Sequence, residues 1–161
     1  MNTETDLAKQ GRVLLPIART SIETALGKVS SADEQHAWLQ EPGATFVTLT
    51  QNGELRGCIG TLEARRSLLQ DIKANAQSAA FHDPRFAPLA ARELEITQVE
   101  VSLLSPMQPL HFVNEEDALN KLQPNIHGVV FEYGRYRSTF LPQVWEQLPQ
   151  VGEFMAHLKY K

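Results

Sequence analysis

The sequence predicts an α+β fold, a mainly antiparallel sheet built from hairpins with helices flanking it. The first observation is that β-type runs come in adjacent pairs: "ATFVTLTQ" and "ELRGCIGTL" flank Asn52-Gly53, and "GVVFEY" and "YRSTF" flank Gly134. The second is that helical patterns lie between these pairs instead of alternating singly with strands, which disfavours a doubly wound parallel sheet. A hairpin followed by a helix recurs in both halves, as an internal duplication would leave it.

Residues 1–30 read as helical, with Leu7, Leu14, Ala18, Ile22, Ala25 and Leu26 near one stripe and Gly27 as the stop. Pro16 predicts a kink or a late start, because proline removes a backbone bond and crowds the preceding turn. Residues 30–42 form a connector with a short turn around Asp33 to Leu39. Asn52-Gly53 is the preferred pair for a type I′ turn. A two-residue loop there places Glu54 opposite Gln51, Arg56 opposite Leu49 and Cys58 opposite Val47, so that Arg56 and Cys58 share one face of the sheet.

"SLLQDIKANAQSAAF" opens with a Ser67-x-x-Gln70 capping box and carries Leu68, Leu69, Ile72, Ala76 and Ala79 or Ala80 as its apolar face, until Asp83-Pro84 closes it. "EITQVEVSLLS" alternates Val99, Val101 and Leu103 with Gln98, Glu100 and Ser102, the pattern of a half-buried strand. "NEEDALNKL" is a helix capped by Asn114, with acids in its first turn, stopping near Pro124. After the second hairpin Pro142 opens a short helix through Leu148, and "VGEFMAHLKYK" is a last helical segment.

Length and composition narrow the function classes. The 161 residues suit one domain, residues 1–161, and no low-complexity linker divides it. At 42% hydrophobic and 21% charged the composition excludes disorder and fibrous repeats. Net charge is −4 and the longest basic run is Arg65-Arg66, so the concentrated basic face of a nucleic-acid binder is missing. No basic-then-apolar leader opens the chain and no apolar run is long enough for a membrane span, which predicts a cytoplasmic protein without membrane contact. The single Cys58 excludes an intrachain disulfide and a zinc site built from cysteines alone. His36, His82, His111, His127 and His157 match no metal-binding spacing, so no metal is expected, and nothing in the sequence specifies a cofactor.

Four blocks in order, "LRGCIGTL" at Leu55 to Leu62, "DPRFAPL" at Asp83 to Leu89, "VEVSLLS" at Val99 to Ser105 and "TFLPQVWEQLP" at Thr139 to Pro149, resemble the AMMECR domain family. The resemblance runs from about Leu14 to the C-terminus. It implies an α+β fold of a larger and a smaller lobe, with a cleft near "LRGCIG", in a family to which no activity is assigned. In prokaryotes such proteins resemble the first member of a three-part AmmeMemoRadiSam system, which implies Memo-like and radical-SAM proteins as partners. Two departures stand out. Family members commonly continue past "HLKYK" with a Lys-Ala-Gly-type segment, whereas this chain ends at Lys161, and Tyr133 and Tyr136 flank the second turn where smaller or more basic residues are expected.

The candidate residues cluster in the first two blocks. Cys58 is a candidate nucleophile with Arg56 as the cation that lowers its pKa; the alternative is a packed cysteine acting as a small hydrophobe. Gly57 and Gly60 let a ligand or another backbone approach closely, or mark a bulge. Asp83, Arg85 and Glu100 complete a polar set that either lines a cleft or forms structural ion pairs, with Arg56 and Glu100 as an expected pair and Asp83 alternatively capping a turn. Trp145, in an apolar short helix, is expected to anchor the core or the interface between lobes; the alternative is stacking on a ligand. Two functions follow: a small-molecule-binding protein or enzyme whose cleft holds Arg56, Cys58, Asp83, Arg85 and Glu100, or an adaptor that docks to its partners through an exposed apolar patch.

Overall fold

The computed structural model describes residues 3–161, and side chains from residue 6 onward. The chain divides after Met107 into two compact units, the second being Gln108–Lys161.

Unit 1 is a sheet with two helices on one face. Helix α1 (Thr3–Ala25) ends at Gly27, whose φ of +81° only glycine adopts without strain. It runs through Pro16 without a late start: Pro16 and Arg12 are both exposed, so the carbonyl that proline's missing N–H leaves unbonded lies where water can satisfy it. Leu14, Ile17, Ala18 and Ile22 form the buried stripe, while Leu7 and Ala25 fall outside it. Strand β1 (Pro42–Gln51) is central. It pairs antiparallel with β2 (Glu54–Gly60) on one side and β4 (Thr97–Leu104) on the other, and its first residues also pair with the two-residue β3 (Arg66–Ser67), which sequence reasoning missed.

Helix α2 (Leu68–Phe81) starts as its sequence requires, with Ser67 Oγ accepting the Gln70 N–H at 3.3 Å. Its buried Leu68, Ile72, Ala76, Ala79 and Ala80 meet Val47 and Leu49 of β1 and the α1 stripe in one core. A polar network inside that layer ties α2 to β1. The Asp71 carboxylate, 1% exposed, accepts Thr45 N–H, Thr45 Oγ1, Thr61 Oγ1, Arg66 Nε and Asn75 Nδ2 at 2.8–3.0 Å. A buried carboxylate is tolerable only when its lone pairs are filled in this way.

Unit 2 begins with α3 (Glu115–Lys121), capped by Asn114 Oδ1, which accepts the Asp117 N–H at 2.9 Å. The hairpin of β5 (Val129–Tyr133) and β6 (Tyr136–Phe140) closes through Gly134 at φ +59°. A 3-10 turn at Pro142–Glu146, shorter than the predicted helix to Leu148, leads to α4 (Val151–Tyr160). Trp145 is fully buried, stacked on Phe154 with centroids 3.6 Å apart, and its Nε1 donates to the His127 carbonyl at 2.7 Å, so it anchors this unit's own core. Among the described residues no helix is long and apolar enough to cross a membrane.

Candidate functional site

The site begins at the turn. Asn52 and Gly53 have φ of +52° and +80°, the type I′ geometry, and Gln51 faces Glu54 as predicted. Beyond Thr50–Leu55 the register slips by one residue: Leu49 pairs with Gly57, Thr48 with Cys58 and Val47 with Ile59, leaving Arg56 as the extra residue of a β-bulge. The predicted pairs Arg56–Leu49 and Cys58–Val47 are therefore corrected. The reason is burial. Val47 and Leu49 point into the core, so the unslipped register would have sent the Arg56 guanidinium and the Cys58 thiol there; the bulge turns Gly57 and Ile59 inward instead.

Both glycines are required by close approach. A Cβ on Gly57 would lie 2.2 Å from the Ala79 carbonyl oxygen, because the alanine face of α2 lets its backbone settle onto β2. A Cβ on Gly60 would lie 2.2 Å from the ring of Phe46, directly across the ladder.

Arg56 does not reach Glu100. Its Nε and Nη2 donate to Glu93 Oε1 and Oε2 at 3.0 and 3.2 Å, and its guanidinium lies 5.9 Å from the Phe86 ring centre. Arg56 Nη1 is buried and bonds none of the described residues. Glu93 also accepts the Ala90 N–H at 2.8 Å and Gln51 Nε2 at 3.2 Å. These bonds, Arg56's first, hold the Glu93 carboxyl at about 2, against burial that pushes it up from 4.5. Because the folded-state value lies below the ordinary one, ionised Glu93 stabilises unit 1 fully above about pH 4.5 and loses that contribution as pH falls toward 2. Urea unfolding at about pH 5 and about pH 2.5 is expected to show wild type losing about 2 kcal/mol more than Glu93→Gln. Equal losses in the two proteins would show that the pair carries no such linkage.

Asp83 and Arg85 act on the free edge of β2. Buried Asp83 accepts the Cys58 N–H on Oδ2 at 2.9 Å and is gripped by Arg85, Nε to Oδ1 at 3.0 Å and Nη2 to Oδ2 at 2.7 Å. Arg85 Nη2 also donates to the Cys58 carbonyl at 3.3 Å. The pair thus replaces the neighbouring strand that β2 lacks, satisfying both outward backbone groups of Cys58. Arg85's bonds hold the Asp83 carboxyl well below the usual carboxylate range, although burial opposes them, and the Cys58 N–H adds to the effect.

The Cys58 side chain faces away from the core, half-buried, with Sγ 3.2 Å from Thr48 Oγ1. Directly opposed residues on neighbouring strands point to the same face, so Cys58, Thr48 and Glu100 form a row across β2, β1 and β4, with Gly60, Phe46 and Ser102 as the next row. The structure thus brings Cys58 and Glu100 onto one sheet face, takes Arg56 to Glu93, and spends Asp83 and Arg85 on the strand edge. Glu93, Phe86 and Thr48 were missed by sequence reasoning. Only the acid at the start of "ELEIT" offered a signal, and nothing local linked it to Arg56. Among the described residues no three His, Cys, Asp or Glu side chains gather as a metal-holding group.

A protein-family model described as AMMECR1 matches residues 15–161. A protein of Methanothermobacter thermautotrophicus is 37% identical over 138 residues, covering 84% of this chain and 72% of the relative. One of Nanoarchaeum equitans is 38% identical over 148 residues, covering 89% and 82%. The crystal structure of the uncharacterized protein PH0010 from Pyrococcus horikoshii superposes with a TM-score of 0.86 at 30% identity, covering 95% of this chain and 79% of that one. The α+β architecture is shared with that structure.

Proposed function

The chain belongs to the AMMECR1 family, and from that premise we propose that it is a cytoplasmic binding protein which presents the Cys58 face of its sheet to a small molecule. One observation carries the reading: a half-buried thiol held against the Thr48 hydroxyl, on the face that α1 and α2 leave uncovered, with the Glu100 carboxylate next in the row. The ligand that suits this row offers hydrogen-bond donors to Glu100 and Thr48 and a soft or weakly polar atom to sulfur. Asp83 and Arg85 fix the strand beneath the thiol and are positioning residues. Arg56, engaged by Glu93, gives no support to a cation-activated nucleophile, so binding is preferred to covalent catalysis.

A thermal-shift screen of the full chain against a metabolite library tests this, with each hit repeated on Cys58→Ala and Thr48→Val. The reading expects stabilisation that disappears in both variants and ligands that protect Cys58 from iodoacetamide. Hits retained by both variants, without protection of the thiol, would place the binding elsewhere. The adaptor alternative, with Memo-like and radical-SAM partners, draws support from a different surface, an apolar groove beside β4.

A further inference from the structure

The two edges of the unit 1 sheet are treated differently. On the β2 edge Asp83 and Arg85 occupy the outward backbone groups of Cys58. The direction of those groups sets the direction of the rest of the ladder. Since Cys58 bonds outward, its partner Thr48 bonds toward β4, the Thr48–Glu100 pair exchanges hydrogen bonds, and Val99, Val101 and Leu103 aim their N–H and C=O groups away from the sheet. Thr97 has the same parity, and its carbonyl is taken by Arg19 Nη1 of α1 at 2.6 Å. For Val99, Val101 and Leu103 no partner exists among the described residues.

Alongside this open edge lies a mostly apolar groove of about 220 Å³, lined chiefly by Leu7, Leu14 and Leu15 of α1 and Val99, Val101 and Leu103 of β4; its lining also reaches Glu100, whose side chain alternates to the other face of the strand. Leu7 and Leu15 are 61% and 40% exposed. On the opposite face at the same edge Glu100 is exposed and has no ion-pair partner among the described residues. A strand added here would oppose Glu100 in a non-hydrogen-bonded pair, where side chains come closest, so charge complementarity selects a basic residue at that position.

We propose that the free edge of β4 receives an extended segment of a partner protein as an added strand, with its apolar side chains in the α1–β4 groove and a lysine or arginine opposite Glu100. Main-chain bonds to Val99, Val101 and Leu103 supply the docking, and alternate side chains supply the selectivity. Glu100 is the one residue this surface shares with the Cys58 row, and the main-chain docking at Val99, Val101 and Leu103 does not depend on a ligand there.

The test uses the full ¹⁵N-labelled chain and a capped peptide of sequence Thr-Val-Lys-Val-Lys-Val-Thr. Binding is expected to shift and slow the exchange of the amides of Val99, Val101 and Leu103, to be lost when the peptide valines are N-methylated, and to be unchanged in Cys58→Ala. Replacing the peptide lysines by glutamate is expected to weaken binding about 5- to 10-fold, and Glu100→Lys to reverse that preference. Shifts centred away from β4, indifference to N-methylation, or a concentration-dependent dimer that closes the same edge would each overturn the proposal.

Discussion

Gly57→Ala is expected to destabilise unit 1 by about 3–5 kcal/mol, and Gly60→Ala by clearly less. The two glycines look equivalent in the motif, yet the added methyl meets different obstacles. At Gly57 it would lie 2.2 Å from the Ala79 carbonyl oxygen, which belongs to the backbone of α2 and moves only if the helix lifts off the sheet. Lifting α2 separates Ile72, Ala76 and Ala79 from Val47 and Leu49, so the whole core loosens. At Gly60 the obstacle is the half-buried side chain of Phe46, met at Cγ, Cδ1 and Cδ2, so relief takes a rotation of that one side chain and not the movement of a helix backbone. Chemical denaturation of both variants measures the order. Equal losses at the two positions would contradict the role given to the α2 backbone.

Asp71→Ala is expected to cost a similar amount, about 3–5 kcal/mol, because five donors lose their acceptor at once. Thr45, 0% exposed, would keep a buried N–H without a partner and a hydroxyl proton without an acceptor, although Asn75 Nδ2 still donates to its oxygen at 3.1 Å, and Asn75 and Arg66 would lose the carboxylate that orients them. Asp71→Asn keeps the shape and one carbonyl oxygen, so it should fall between wild type and Asp71→Ala. Thermal melts of the three proteins give the comparison; an Asp71→Ala protein as stable as wild type would mean that the network is not holding α2 to β1.

Much of the fold was legible because its signals are local. Asn52-Gly53 demands positive φ at both positions, Ser67 and Asn114 cap the helices they precede, and alternation along "TQVEVSLL" marks β4. At Pro16 the late start that proline allows does not occur, since a proline's effect depends on whether water can reach the carbonyl it leaves unbonded. The bulge at Arg56 was not legible. Counting outward from the turn gives a register by alternation alone, and the slip is chosen by what lies beneath the strand, the α2 backbone over Gly57 and the core around Ile59.

The sequence alone determined the family, the α+β class and the order of the helices and longer strands, because turn, cap and periodicity signals act over a few residues. Tertiary structure decided the partners: Arg56 with Glu93, Asp83 and Arg85 on the Cys58 backbone, and Cys58 in one row with Thr48 and Glu100. Those contacts join residues up to 52 positions apart in the chain, Thr48 and Glu100 being the widest pair. Which of several arginines meets which acid depends on burial and strand register, and these exist only once the sheet and its helices have packed.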